Sequence, residues 1–122
     1  MTASIDWDAA TAEAVSLLRE YLRIDTSNPP GNERPAVEFL RGILAAEGIP
    51  SEVAESAPGR SNLFARLGPS AGGVCPPNHP DVFPVERPFW ARDPLRGALF
   101  AGLVWGRGAP DMKTMGLLDL VG

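Results

Sequence analysis

The placement of proline and glycine limits where this chain can form regular structure. Thirteen prolines and thirteen glycines make up about a fifth of the 122 residues, and most of them lie after residue 57. Proline cannot donate a backbone hydrogen bond to a helix or a central strand, and glycine loses more conformational entropy on ordering than other residues. We therefore expect regular helices in the first part of the chain, and short strands separated by loops after residue 57.

Apolar periodicity predicts two amphipathic helices. The first covers residues 6–24 and is capped by Asp6 or Asp8. Its apolar face consists of Ala14, Leu17, Leu18, Tyr21 and Leu22. The second begins with Asn32 as its cap and stops at Gly48, and its buried stripe consists of Val37, Leu40, Ile43 and Leu44.

Short apolar runs predict strands in two later parts of the chain. Residues 50–56 and 61–68 form one pair around the turn sequence "APGR". A hairpin with strands at 98–100 and 103–105 precedes a final helix that begins close to Asp111. Between these pairs, residues 68–88 are rich in proline, and only Val82, Phe83 and Val85 suggest a strand. Two helices, mixed-sheet strands and the start of a third helix indicate an α/β fold.

Composition excludes several classes of function. A net charge of −4 without a basic patch argues against a nucleic-acid partner, and no apolar run is long enough to span a membrane. The acidic N-terminal residues do not have the pattern of a signal peptide. A single cysteine, Cys75, suits a reducing compartment, so we expect a cytoplasmic protein.

His79 and Asp81 form a His-x-Asp pair in the sequence "NHPDVFP". In an extended segment, side chains two residues apart lie on the same face, and a carboxylate there can orient the imidazole toward a metal. A lone histidine is more often a surface residue, and the pair is a weak signal when taken by itself.

Asp111 follows the sequence "GRGAP" and permits two interpretations. Aspartate is among the best residues for capping a helix N-terminus, which is the simpler explanation. Capping does not account for Gly106 and Gly108, which would let the backbone approach a site closely. The alternative is a metal ligand, with Asp111 carrying a carboxylate that can bridge two cations.

Catalytic zinc sites use three protein ligands and an open position, and His79 and Asp111 supply two. Cys75 is a third candidate, although its surroundings of valine and prolines favour an incidental loop residue. A Cys75–His79 nucleophile pair lacks a third group. The sequence "GRGAPDMK" lacks the Gly-Lys-Ser/Thr ending and the spacing of a phosphate-binding loop.

Taken in order, these motifs resemble the N-terminal third of a co-catalytic zinc peptidase family. That family contains acetylornithine deacetylase, succinyl-diaminopimelate desuccinylase, aminoacylase, carnosinase-like dipeptidases and carboxypeptidase G. The resemblance covers nearly the whole chain, and the matching pieces are "LLREYLRIDTSNPPGNE" (17–33), "AVEFLRGILAAEGIPSEV" (36–53), "GRSNLFARLG" (59–68), "NHPDVFPVE" (78–86) and "WARDPLRGALFAGLVWGRGAPDMKT" (90–114).

The resemblance implies three site residues and a cofactor. His79 is similar to the ligand of one zinc, and Asp111 to the aspartate that bridges two zincs. Asp81 is similar to the catalytic carboxylate that positions the histidine. The implied reaction is zinc-dependent hydrolysis of an amide or peptide bond in a small N-acyl amino acid or peptide. Pro80 departs from the family pattern, in which an apolar residue is usual between the histidine and the aspartate.

The resemblance also implies that the site in residues 1–122 is incomplete. The family's general-base glutamate, its remaining ligands and its lid or dimerisation domain have no counterpart here. We therefore expect one partial catalytic domain over 1–122, at most a partial zinc site, and no activity from this chain by itself. Two alternatives are a non-catalytic remnant that binds no metal and a fragment that associates with a partner chain.

Overall fold

Helix α1 spans Trp7–Leu22 in the computed structural model, which describes residues 4–69 and 71–122. The carboxylate of Asp6 caps α1 by accepting a hydrogen bond from the Ala9 N–H at 3.0 Å. At the other end, the Arg23 N–H donates to the Glu20 carbonyl at 3.1 Å, which tightens the last turn. The predicted helix and its Asp6 cap are confirmed.

Helix α2 spans Arg34–Ala46. The prediction that Asn32 caps this helix is wrong, because Glu33 occupies the cap position and makes no side-chain cap hydrogen bond. The Glu33 carboxylate instead accepts a hydrogen bond from Arg60 Nε at 2.8 Å. A contact with the following hairpin, rather than a local cap, therefore fixes the start of α2.

Strands β1 (Ser51–Ala57) and β2 (Arg60–Ala65) form an antiparallel hairpin in which Val53 lies opposite Leu63. The register shifts between Glu55 and the end of β1. This pair confirms the hairpin expected around the "APGR" turn, and it packs against α2.

The proline-rich segment after β2 forms one isolated bridge in place of a strand. Val82 pairs in parallel with Ser27, through hydrogen bonds from the Val82 N–H to the Thr26 carbonyl at 3.1 Å and from the Asn28 N–H to the Val82 carbonyl at 2.8 Å. Pairing goes no further because Pro80 and Pro84, on either side of the bridge, have no N–H to donate.

Strands β3 (Ala98–Phe100) and β4 (Leu103–Trp105) form the predicted second hairpin. Its two turn residues, Ala101 and Gly102, both have positive φ angles, as a tight two-residue hairpin turn requires. The Arg19 side chain of α1 donates to the Gly97 carbonyl at 2.9 Å, which attaches this hairpin to the first helix.

Helix α3 spans Thr114–Val121 and follows an irregular turn, Ala109–Lys113. It packs against α1 around a small apolar core. The buried residues of that core are Leu18, Tyr21, Leu22, Ala36 and Leu117.

The predicted α/β class is confirmed. Within the described residues, the strands form two separate antiparallel pairs rather than one continuous mixed sheet. No strand lies between β2 and the Val82 bridge in the residues that the structure describes there, 66–69 and 71–81. None of the described helices is long and apolar enough to cross a membrane.

Candidate metal site

The fold brings His79, Asp81 and Asp111 together at the surface. His79 Nε2 lies 3.1 Å from Asp111 Oδ1, although 32 residues separate the two in sequence. On the other side of the ring, His79 Nδ1 lies 3.1 Å from Asp81 Oδ1. The imidazole therefore lies between two carboxylates, and each ring nitrogen faces one of them.

The parallel bridge at Val82 positions the His79–Asp81 segment. Thr26 is fully buried, and its hydroxyl donates to the Pro80 carbonyl at 2.6 Å. Together with the backbone bonds of Val82, this contact fixes the chain on both sides of Asp81. The His-x-Asp pair thus lies beside the loop that connects α1 to α2.

Asp111 lies in the irregular turn before α3, and the capping interpretation is wrong for it. Its backbone angles, φ −132° and ψ 93°, are extended rather than helical. Lys113 holds the cap position of α3, where no side chain makes a cap hydrogen bond. The carboxylate of Asp111 faces His79 instead of the first turn of the helix.

Gly108 allows the turn that carries Asp111 to approach the His79 segment. Its φ angle is +86°, and a Cβ atom at this position would collide with the Val82 side chain. The glycine is therefore required both by its backbone conformation and by the close approach. This close approach explains why position 108 is glycine, which a capping role for Asp111 did not explain.

Lys113 anchors the other end of the same turn. Its side chain is 1% exposed, and Nζ donates to the Tyr21 and Ile24 carbonyls at 3.1 and 2.7 Å. Burial lowers the pKa of Lys113 to about 8, and nearby Asp25 opposes that shift. The sequence pattern assigned no role to this lysine, because its acceptors belong to a helix end about ninety residues earlier.

Asn28 is a second site residue that sequence reasoning missed. Its side-chain amide donates to Asp81 Oδ2 at 3.0 Å. In the sequence, Asn28 precedes two prolines and is explained fully as a turn former. Only the parallel bridge between residues 27 and 82 places it beside Asp81.

These side chains line an open cleft of about 350 Å³. The side chains of His79 and Asp111 are 48% and 77% exposed, so both reach solvent in the cleft. Asp81 is less exposed, at 33%, and lies behind the imidazole. The lining residues are Asn28, His79, Asp81, Val82, Phe83 and Asp111.

The separation of 3.1 Å between His79 Nε2 and Asp111 Oδ1 suits two ligands of one zinc ion. Zinc ligands at about 2.0–2.2 Å in tetrahedral geometry lie roughly 3.3 Å from each other. Asp81 faces Nδ1, in the place where a carboxylate orients a metal-binding histidine. Among the described residues, no group of three or more His, Cys, Asp or Glu side chains is arranged to hold a metal ion. The donors present therefore fit zinc as one part of a ligand set.

Cys75, which was considered as a third ligand, is an exposed free thiol. It does not line the cleft that contains His79 and Asp111.

No family model matches the chain. Individual proteins do match over most of its length. Aminoacylase-1 of Sus scrofa is 33% identical over 108 residues, which is 85% of this chain and 26% of that protein. Succinyl-diaminopimelate desuccinylase of Methylobacterium sp. (strain 4-46) is 36% identical over 108 residues, or 84% of this chain and 27% of that protein.

A third relative extends the match. Succinyl-diaminopimelate desuccinylase of Parvibaculum lavamentivorans is 34% identical over 119 residues, covering 93% of this chain and 30% of that protein. The chain is therefore homologous to aminoacylase-1 and succinyl-diaminopimelate desuccinylase, and it spans about 26–30% of the length of these relatives.

Proposed function

We propose that His79 and Asp111 are zinc ligands of an amide-bond hydrolase that acts on small N-acyl amino acids. The observation that carries this proposal is the convergence of His79 Nε2 and Asp111 Oδ1, 3.1 Å apart, in an open cleft. The names of the relatives, aminoacylase and desuccinylase, support an acylated amino acid as the substrate class. The unpaired thiol of Cys75 supports a cytoplasmic location.

Bound zinc would polarise the amide carbonyl and lower the pKa of a coordinated water molecule. With a proton on His79 Nδ1 donated to Asp81, 3.1 Å away, Nε2 would present its lone pair to the metal. Asp111 supplies a carboxylate beside Nε2, on the side of the imidazole ring that faces away from Asp81. The exposed ring of Phe83 gives the cleft an apolar wall against which an acyl group can pack.

The same cleft supports the proposal that these 122 residues do not complete a turnover. Among the described residues that line it, none is a glutamate that could accept a proton from an attacking water. Two ligands also leave a zinc ion with more open positions than a catalytic site normally has. The remaining ligands and the base would have to come from additional polypeptide.

A second candidate is a non-catalytic protein that binds no metal. It is favoured by the absence, among the described residues, of any group of three potential ligands. On this alternative, the His79–Asp111 contact is an exposed polar contact, and such contacts contribute little to stability. Replacing His79 with alanine would then have no effect beyond a small change in the free energy of unfolding.

Zinc binding distinguishes the two candidates. We would measure zinc uptake by equilibrium dialysis and elemental analysis for the wild-type chain, for His79→Ala and for Asp111→Asn. Asp119→Asn is the matched control, because Asp119 is an exposed carboxylate on α3 that does not line the cleft. We expect an affinity at least about tenfold weaker in the two site variants and no change in the control.

Absence of zinc uptake by the wild-type chain would support the non-catalytic alternative, and zinc uptake by Asp111→Asn equal to that of the wild-type chain would refute the proposed ligand role of Asp111. Zinc-loaded protein would also be tested for hydrolysis of N-acetyl and N-succinyl amino acids. We expect no product from this chain, and measurable turnover would refute the proposed requirement for further polypeptide.

A further inference from the structure

We propose, on the basis of the metal-binding role assigned above to His79, that Asn28 is a positioning residue of the zinc site. Its side-chain amide holds Asp81 in the orientation that directs the histidine. The side-chain hydrogen bond of Asn28 goes to Asp81 and not to His79 or Asp111, so in this role it acts through the carboxylate.

The four side chains form a continuous chain of polar contacts. Asn28 Nδ2 donates to Asp81 Oδ2 at 3.0 Å, while Asp81 Oδ1 lies 3.1 Å from His79 Nδ1. His79 Nε2 then lies 3.1 Å from Asp111. Because both oxygens of the Asp81 carboxylate are engaged, its rotation would break one contact or the other. The amide of Asn28 therefore restricts the carboxylate to the orientation that meets the ring.

The backbone holds Asn28 in register with Asp81 independently of the side chain. The Asn28 N–H donates to the Val82 carbonyl at 2.8 Å, and the Val82 N–H donates to the Thr26 carbonyl at 3.1 Å. These bonds use main-chain atoms alone, so a substitution at position 28 leaves them in place. The side-chain contact can consequently be removed without removing the bridge.

The direction of the hydrogen bond determines which residue suits position 28. The Asp81 carboxylate only accepts hydrogen bonds when ionised, so its partner must be a donor. An aspartate at position 28 has the shape of asparagine but would place a second acceptor against Asp81. Asn28→Asp therefore tests the donor separately from side-chain size.

The orientation of Asp81 affects which of the two imidazole nitrogens of His79 carries the proton. His79 Nδ1 faces the Asp81 carboxylate and the Asp81 carbonyl, each at 3.1 Å. Two acceptor oxygens face Nδ1 and one, Asp111 Oδ1, faces Nε2, so the surroundings favour the tautomer with its proton on Nδ1, in which Nε2 carries the lone pair that a metal needs. Loss of the Asn28 contact should allow Asp81 to turn away and should weaken this preference.

The test uses the intact 122-residue chain without metal. His79 is the only histidine in the sequence, so its ring ¹⁵N signals need no assignment. We would compare the wild-type chain with Asn28→Asp at the same alkaline pH. The ¹⁵N shifts of Nδ1 and Nε2 give the ratio of the two tautomers. We expect this ratio to move by about threefold or more toward the Nε2–H form.

Asn32→Asp is the matched control, because it adds the same charge at an exposed position in the same loop. We expect its tautomer ratio to equal that of the wild-type chain. Zinc affinity, measured by calorimetry, should fall about tenfold in Asn28→Asp and should not change in the control. If Asn28→Asp does not fold, Asn28→Ala removes the donor without adding charge. Its tautomer ratio and its zinc affinity would then be measured in the same way.

An unchanged tautomer ratio in a folded Asn28 variant would overturn the positioning role. An equal change in Asn32→Asp would overturn it as well, since the effect would then be one of charge. If the wild-type chain binds no zinc, the proposed function fails, but the tautomer ratio still decides whether Asn28 positions Asp81 and His79.

Discussion

The Asp111 carboxylate has two possible partners, the first turn of helix α3 and the His79 side chain. Helix α3 begins three residues later, at Thr114, and receives no side-chain cap. The carboxylate lies instead 3.1 Å from His79 Nε2. Lys113, rather than Asp111, holds the cap position of α3, so the Asp111 carboxylate does not cap that helix.

Lys113 fixes the same turn by a different means. A lysine is rarely buried unless its ammonium group has acceptors, and here the two acceptors are carbonyls at the end of α1. Its aliphatic chain also packs beside Gly108, and Nζ lies 4.8 Å from the centre of the Tyr21 ring. One side chain thus connects the turn that carries Asp111 to the first helix.

We predict that Lys113→Ala lowers the free energy of unfolding by about 1–3 kcal/mol. The substitution leaves a cavity and removes two hydrogen bonds, while the relief of ammonium desolvation offsets part of the loss. Urea denaturation followed by circular dichroism measures the change. Arg41→Ala, at a side chain that is 49% exposed, serves as the control and should change stability by no more than about 0.5 kcal/mol. Equal stability of Lys113→Ala and wild type would show that the buried amine does not hold the turn.

At the scale of elements, the attachment of the second hairpin to α1 depends on a close backbone contact. Gly97 has a φ angle of +58° and is buried against the Arg19 carbonyl, with which an added Cβ atom would collide. Arg19 Nε and Arg23 Nε also donate to the Gly97 and Arg96 carbonyls, at 2.9 and 3.0 Å. Helix α1 therefore contributes backbone and side-chain groups to the same junction.

We predict that Gly97→Ala destabilises the chain by about 2–4 kcal/mol, because the hairpin must move away from α1. Gly102→Ala is a matched control, since Gly102 also has a positive φ, +75°, but an added methyl group there would meet no atom within 4 Å. The control should lose only about 1 kcal/mol from backbone strain. Thermal and urea unfolding would measure both variants. Similar losses of stability in the two variants would mean that backbone strain, and not the contact with Arg19, is the reason that position 97 requires glycine.

At the scale of the whole molecule, the chain exposes more surface than a compact monomer of the same mass. Its accessible surface is 8350 Å², whereas a compact monomer of 13.0 kDa is expected to expose about 6,300 Å². Many large apolar side chains contribute to the excess. Those on the second hairpin and α3 are Leu99, Phe100, Leu103, Met115 and Leu118, each 49–59% exposed.

This apolar surface predicts association of the isolated chain. We expect the sedimentation coefficient to rise with concentration over the micromolar range, and we expect Met115→Lys combined with Leu118→Lys to reduce that rise. Thr11→Lys adds positive charge at an exposed polar position on α1 and should leave association unchanged. A wild-type chain that stays monomeric at the highest concentration would contradict the prediction, as would equal effects of the α3 and α1 substitutions.

The local elements were predictable because their signals lie within a few residues of each other. The apolar spacing of α1 and the Asp6 cap, or the two-residue turn between β3 and β4, can be read from short stretches of sequence. The cap of α2 was not predictable, because Glu33 takes Arg60 as its partner 27 residues away.

The sequence by itself determined the α/β class, both hairpins, and His79, Asp81 and Asp111 as the residues to examine. Only the tertiary structure showed that Asp111 does not cap α3 and that its carboxylate lies beside His79, since a helix cap and a ligand have the same local sequence. It alone revealed Asn28 and Lys113, whose partners lie 53 and about ninety residues away. Periodicity and turn chemistry act over a few residues. Side-chain contacts across the fold depend on how the elements pack, which no short stretch of sequence specifies.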